Sequence, residues 1–354
     1  MKKALKNVSF IMILATIFSV SLFMTSCTED EIIEGDKTTL NTLITECETL
    51  VASAIEGTAP GFYEVGSKAV FQVAIDAAKT VSTDVEADQT ATDAARVNLD
   101  AAKTVFEGKM IQDVSTDGLV GQWMFNGDAS DNTGNGFDGT ATIGHEFWGA
   151  GTPALTTDRF GNEDNAYYFD KGANIDIPYS SALNPSVITL SWWVYMEELP
   201  NNDYMISMSR WDCYKVNFQE ANRVFFTTKV IDPADPEAFI YNNRDHDNEG
   251  LTAETWYHIA VSYGNAHMKF YINGELVKDW TDVPDVSINN ISGAPVDLVF
   301  GQDLPTAIYS TDDTSPYYVN WGGYFKGKLD DIRLYNRVLA DNEVSSIYNV
   351  EKPQ

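Results

Sequence analysis

Basic residues are scarce in this chain: 23 Lys and Arg stand against 52 Asp and Glu, a formal net charge of −29. That surplus repels a polyanion at long range, and no basic stripe with interleaved aromatics counters it, so nucleic acid is not expected as a partner. Calcium and neutral ligands suit the charge better, and the same surplus also serves plain solubility. There are three cysteines, too few for a disulfide framework, and no Cys-x-x-Cys or His-Glu-x-x-His spacing signals a metal centre. Cys47 falls in the apolar stripe of an expected helix and Cys213 in an expected strand, so both read as buried free thiols. The four histidines form no catalytic arrangement. His258 reads as a satisfied strand residue, and His246 as part of a solvated loop rich in oxygen ligands.

What is present begins at the N-terminus. Lys2, Lys3 and Lys6 precede an uncharged run from Val8 to Met24, and Met24-Thr25-Ser26-Cys27 follows. Residues 1–27 read as an export signal ending in a lipobox. The length of the run also suits an uncleaved anchor helix, while the small residues before Cys27 favour cleavage. In bacterial lipoproteins of this pattern the new N-terminal cysteine, here Cys27, carries more than one acyl chain, which implies a lasting hold on a membrane through lipid alone. Thr28-Glu29-Asp30-Glu31 resembles the surface-export signal of Bacteroidetes lipoproteins and so implies an outer-membrane protein displayed at the cell surface. Its plainer reading is a solvated acidic tether over residues 28–36.

Residues 37–109 carry helical spacing. Leu40, Leu43, Ile44, Cys47, Leu50, Val51, Ala54 and Ile55 mark one helix, Phe71 to Val81 a second, and Ala91 to Phe106 a third that stops at Gly108. Short connections predict an antiparallel three-helix bundle with no polar constellation inside. Pro60-Gly61-Phe62-Tyr63 with Val73 to Lys79 resembles the helical FIVAR modules of bacterial surface proteins. Some of those bind host proteins, while a passive spacer is the simpler expectation.

From Leu119 the period changes to two. Strands are expected at 119–125, 166–169, 174–177, 187–196, 204–209, 214–218, 223–229, 256–263, 268–272, 275–280, 296–300 and 325–335, an antiparallel β-sandwich. Asn273-Gly274 is a strong hairpin signal, because both residues accept the positive φ of a type I′ turn. Leu119 to Phe125, Asp131 to Gly139, Ala166 to Asp170, Ile188 to Val194 and Trp256 to Asn273-Gly274 match, in order, blocks of the laminin G-like, concanavalin A-type jelly rolls. The closing segment Gly323 to Tyr348 is similar to that family's last strand. The resemblance covers residues 118–350 and implies a mainly β jelly roll.

One loop and one strand residue invite a ligand reading. Gly134-Asn135-Gly136-Phe137-Asp138-Gly139 satisfies a dinucleotide fingerprint literally, but a strand follows where a helix N-terminus is needed. Asp131, Thr133 and Asn135 read better as an imperfect calcium loop. Asp330 alternates with Asp331 in the last strand and is expected to point inward with Ile332 and Leu334, where a lone carboxylate needs a partner or a cation. The resemblance implies a structural calcium between the first loops and the last strand, held by Asp330, Asp131 and Asn135 with Asp170 as a further ligand. Hydrogen bonding from backbone amides is the alternative.

Relatives of this fold that cleave β-glucans carry acids at the spacing Glu-x-Asp-x-x-Glu, which occurs nowhere here. Aromatics remain. Trp123, Trp193 and Trp256 are expected in the core, whereas Trp148, Trp211, Trp280, Trp321, Tyr241, Tyr309, Tyr317 and Tyr318 lie in or beside expected loops. Aromatic faces stack on sugar rings while neighbouring polar groups bond the hydroxyls. Arg210-Trp211-Asp212 and Tyr318, Asn320 and Trp321 are the preferred clusters. The whole reads as a lipid-anchored surface protein whose helical spacer holds out a non-catalytic jelly roll that binds a glycan or polysaccharide. An adhesin for a protein partner and a hydrolase with unrecognised residues are the alternatives.

Overall fold

A computed structural model describes residues 34–353, apart from 200–201, 248–249 and 292–294. The export signal, Cys27 and most of the acidic tether lie outside the described residues. Helical spacing produces α1 (Thr38–Ser53), α2 (Ser67–Thr83) and α3 (Gln89–Glu107). Leu40, Ile44, Cys47 and Val51 of α1 face Phe71 and Ile75 of α2 and Leu99 and Phe106 of α3 in one core. Tyr63 and Phe71 both stack on Phe106, at 4.4 and 4.6 Å. Asp88 caps α3 by accepting a bond from the Ala91 amide at 2.8 Å. Among the described residues no helix is long and apolar enough to cross a membrane.

Among the described residues the period-2 region gives fifteen strands: β1 (Leu119–Trp123), β2 (Thr140–Thr142), β3 (Ala154–Thr156), β4 (Ala166–Phe169), β5 (Asn174–Ile177), β6 (Ile188–Met196), β7 (Tyr204–Met208), β8 (Tyr214–Gln219), β9 (Arg223–Asp232), β10 (Asp235–Asp245), β11 (Trp256–Gly264), β12 (His267–Ile272), β13 (Glu275–Trp280), β14 (Leu298–Phe300) and β15 (Gly327–Tyr335). They form two antiparallel sheets. One runs β13-β12-β11-β6-β15-β4-β3 with β1 also on β15, and the other runs β10-β9-β8-β7-β14-β5-β2. Alternate residues of both sheets meet between them, with Trp123, Trp192, Phe169, Phe226, Phe270 and Phe300 fully buried in the shared core. Asn273 (φ 51°) and Gly274 (φ 77°) make the hairpin between β12 and β13 as their chemistry requires.

A final helix, α4 (Asp341–Glu351), covers the outer face of the eight-stranded sheet, where Val344 and Ile347 pack on Ala260, Tyr271 and Tyr335. It also meets the bundle. The Gln112 amide donates to Ser346 Oγ at 2.8 Å, and the Ser345 hydroxyl donates to Glu64.

Three expectations need correction. Residues 235–245, read as loop, are a strand at the sheet edge. Its charges, Asn pair and Pro236 hide the alternation, as they do on edge strands generally. Second, Asp331 sits at φ 46° and the β15–β6 register shifts between Asp330 and Arg333. This bulge leaves Leu329, Ile332 and Leu334 in the core and turns Asp330 to the opposite face. Third, Trp193 is buried outside the main core, beneath α4, where its Nε1 donates to Glu351 at 3.0 Å, and Trp256 is only partly buried against Tyr195.

Candidate functional site

On the seven-stranded sheet the face away from the core is polar where the strands are best covered. In β8, Tyr214, Val216 and Phe218 enter the core, so Lys215 and Asn217 point the other way. Strand register then assembles a row across the whole sheet: Thr140, Asp176, Val299, Ser207, Lys215, Thr227 and Asn243. A neighbouring row runs Tyr204, Asn217, Phe225 and Asp245. Toward the far end of β9 and β10, Lys229 pairs with Tyr241 and Ile231 with Phe239. Thr227 Oγ donates to Asn243 Oδ1 at 2.5 Å, and Ser207 Oγ to the Asp303 carbonyl at 2.7 Å.

The loop after β7 turns through two consecutive left-handed residues, Ser209 (φ 59°) and Arg210 (φ 51°), and delivers Trp211 over this face. The Lys215 ammonium lies 3.4 Å from the Trp211 ring centroid and 4.5 Å from that of Tyr204, a cation–π arrangement. Trp211 also meets Tyr241 edge to face at 6.4 Å. Lys229 bonds Asp212 at 2.7 Å and stands 4.0 Å over the Phe239 ring. Trp211, Tyr241 and Phe239 are 39, 44 and 46% exposed, so they form an open aromatic strip with an ion pair beside it.

Arg210 has a different role from the one its neighbours suggested. Its Nε bonds the fully buried Asp303 at 2.5 Å, while Nη1 and Nη2 donate to the carbonyls of Pro316 and Tyr318 at 3.0 and 3.4 Å. Tyr309 and the Gly323 amide also donate to Asp303. Burial, with Asp303 close by, pushes the Tyr309 hydroxyl well above its ordinary value. The guanidinium is thus occupied by protein acceptors and ties the Trp211 loop to the loop bearing Tyr318, Asn320 and Trp321. Both clusters picked from the sequence are joined through Arg210, whose donors meet Asp303 and the carbonyls of Pro316 and Tyr318. Tyr318 and Trp321 pack edge to face at 5.5 Å, and Trp321 and Asn320 are exposed.

The residues expected to hold calcium are each engaged by protein groups. Asp330, turned away from the core, bonds Arg159 at 2.5 Å, and the same guanidinium takes Asp331 at 2.6 Å. The cation that a buried carboxylate needs is therefore arginine. Asp131 accepts bonds from the amides of Gln122, Thr133 and Phe137 and from the Thr133 hydroxyl. Burial works to raise its pKa, but these donors outweigh burial and hold it below the usual value. Asn135 donates to the Val120 carbonyl, and Asp170 accepts from the Lys171 amide. Among the described residues no three His, Cys, Asp or Glu side chains gather where a metal could be held.

Lys215, Asp176 and Phe239 escaped the sequence reading of this face, and Tyr241 was expected beside a loop, not in a strand. Asp176 is a half-buried carboxyl that burial pushes up to about 6, against a bond from Thr142, and its Oδ1 has no partner among the described residues. His246, expected in solvent, is buried, and its Nδ1 accepts from the Val224 amide at 3.0 Å. The signal that could have revealed the strip was the alternation of Phe239, Tyr241 and Asn243 with Ile240, which packs against the core.

A family model for the concanavalin A-like lectin/glucanases superfamily matches residues 169–345. The surface-layer 125 kDa protein of Lysinibacillus sphaericus is 37% identical over 84 residues, 24% of this chain and 7% of that protein. The chain thus spans only a small part of that relative's length. Among solved structures, domain 4 of AbnA, a GH43 extracellular arabinanase from Geobacillus stearothermophilus solved with arabinotriose, superposes with a TM-score of 0.48 at 21% identity, covering 65% of this chain and 98% of that one. The binding domain of Paraclostridial Mosquitocidal Protein 1 gives 0.46 at 16% identity, covering 65 and 52%.

Proposed function

Because the chain belongs to the concanavalin A-like lectin/glucanases superfamily, we propose that its sandwich is a non-catalytic glycan-binding module, held at the cell surface by lipid on Cys27. The observation that carries the reading is the half-exposed strip of Trp211, Tyr241 and Phe239. Apolar sugar faces stack on such rings, and Asp212, Lys229 and Asn243 beside the strip offer polar groups for ring hydroxyls. The fixed Arg210–Asp303 link supports the same reading, since a platform whose loops are already ordered loses less entropy on binding.

Glycan arrays followed by calorimetry on residues 28–354 test it. Trp211→Ala and Tyr241→Ala should each weaken an identified glycan by on the order of 1–3 kcal/mol, roughly five- to a hundredfold, with melting hardly changed. Parent-like affinity in both variants would place binding elsewhere. Reducing ends accumulating from that glycan would make the chain an enzyme, and Asp176 would then be the first acid to replace.

Surface display rests on the lipobox sequence and on the likeness to a surface-layer protein. Cys27→Ala should remove metabolic acyl labelling and either release the protein from membranes or leave an unprocessed precursor. Labelled, membrane-bound protein in that variant contradicts the anchor.

A further inference from the structure

The lysine in the middle of the polar row has no acid. Elsewhere on this face cations and carboxylates are matched: Arg210 with Asp303, Lys229 with Asp212, and Arg223 with Asp245 at 3.6 Å. Lys215 is fully buried, yet among the described residues its ammonium makes one hydrogen bond, to Tyr204 Oη at 3.3 Å, and otherwise faces the rings of Trp211 and Tyr204. An ammonium carries three donors, so two are left without an acceptor. In a chain with such a surplus of acids, a buried cation without a carboxylate is a conspicuous omission. Two residues along the same strand face, Asn217 is also fully buried, and its Oδ1 has no donor while its amide nitrogen is held by Asn202 and the Phe218 carbonyl.

Building on the glycan-binding reading, we propose that Lys215 and Asn217 form the floor of a subsite for a carboxylated sugar, a uronic or sialic acid residue, with Trp211 as its stacking lid. The ligand's carboxylate supplies the acceptors that the ammonium lacks, and a ring hydroxyl supplies the donor that Asn217 Oδ1 lacks. The two floor groups lie roughly 6–7 Å apart along the strand, a span that one pyranose bearing a carboxylate and hydroxyls can bridge. Trp211 is partly exposed, so rotation of its side chain opens the ammonium without moving Arg210. The overall negative charge opposes long polyanions, which favours short acidic glycans or chain ends.

Protonation supports the same picture. Burial lowers Lys215 to about 7, against the pull of Asp303 and with a further push from Arg210. The other charged groups facing it are already paired, Asp303 with Arg210 and Asp212 with Lys229, and burial pushes the Tyr204 hydroxyl up to about 12. Above pH 7 the lysine must take up a proton to hold a carboxylate, so affinity for an acidic sugar should drop about tenfold per pH unit, and that for a neutral sugar should not.

The test uses residues 28–354 with trigalacturonate and 3′-sialyllactose, each beside its neutral methyl ester, by calorimetry at pH 6.5 and 8.5. At least one acid should bind tenfold or more tightly than its ester at pH 6.5, and that preference should vanish in Lys215→Met. Lysine NMR on the parent guards against a misfolded variant: the Lys215 resonance should shift, and its pKa should rise, when the acid binds. Equal affinity of acid and ester, or a preference that survives Lys215→Met, overturns the subsite and leaves glycan binding intact. Failure of every glycan, neutral or acidic, overturns both.

Discussion

Replacing Arg210 by Met should cost the sandwich about 3–5 kcal/mol, because it leaves Asp303 as a buried carboxylate without its cation. Its effect should reach further than stability. The carbonyls of Pro316 and Tyr318 lose their donors, so the Trp321 loop should loosen and glycan affinity should decline with it. Adding Asp303→Asn removes the stranded charge and should recover a large share of the stability while leaving the loop untied. Urea unfolding of the parent and the two variants checks this. A loss below about 1 kcal/mol in Arg210→Met would show that Asp303 is held well enough by Tyr309 and Gly323.

The second large effect is loss of stability in acid. His258 is fully buried, with Nε2 at 2.8 Å from Ser191 Oγ and no partner for Nδ1. Burial, reinforced by the nearby charges of Arg333 and Arg159, lowers its pKa to about 3. A base whose folded pKa is depressed stabilises the fold fully above its unfolded value, about 6.5, and that contribution is lost as pH falls toward the folded value. Between pH 7 and pH 4 this single residue should remove roughly 3 kcal/mol. Carboxylates protonate over the same range, so the comparison that isolates the histidine is His258→Gln. The variant should lose about that much less stability than the parent over the interval. Parallel losses in the two proteins would mean that the imidazole is hydrated in the fold.

These predictions draw on features that differ in how far the sequence exposes them. The β12–β13 hairpin was legible because Asn273-Gly274 has few other uses, and β4 and β5 because alternation is undisturbed there. β10 was not, since an edge strand in water needs no apolar face along its length, and its Asn, Asp and Arg residues imitate a loop. Asp330 was placed on the wrong face because alternation assumes a regular ladder, and a single bulge residue, Asp331, inverts everything before it. The calcium expectation depended on that orientation, and Arg159, 171 residues away, was invisible as its partner. At the site, Trp211 and Trp321 stood out as tryptophans outside any expected core. Lys215 did not, because an outward lysine in a strand ordinarily reaches solvent. Only the return of the Trp211 loop and the Arg210 tie over that face buries it.

The central claim is that the outer face of the seven-stranded sheet binds glycan. Hydrogen-exchange protection measured on residues 28–354, with and without a glycan found by array, tests it most directly. Added protection should concentrate in 209–217, 223–245 and 317–321 and spare α1 to α3. Protection confined to the helical bundle, or to the α4 side of the sandwich, would contradict the account.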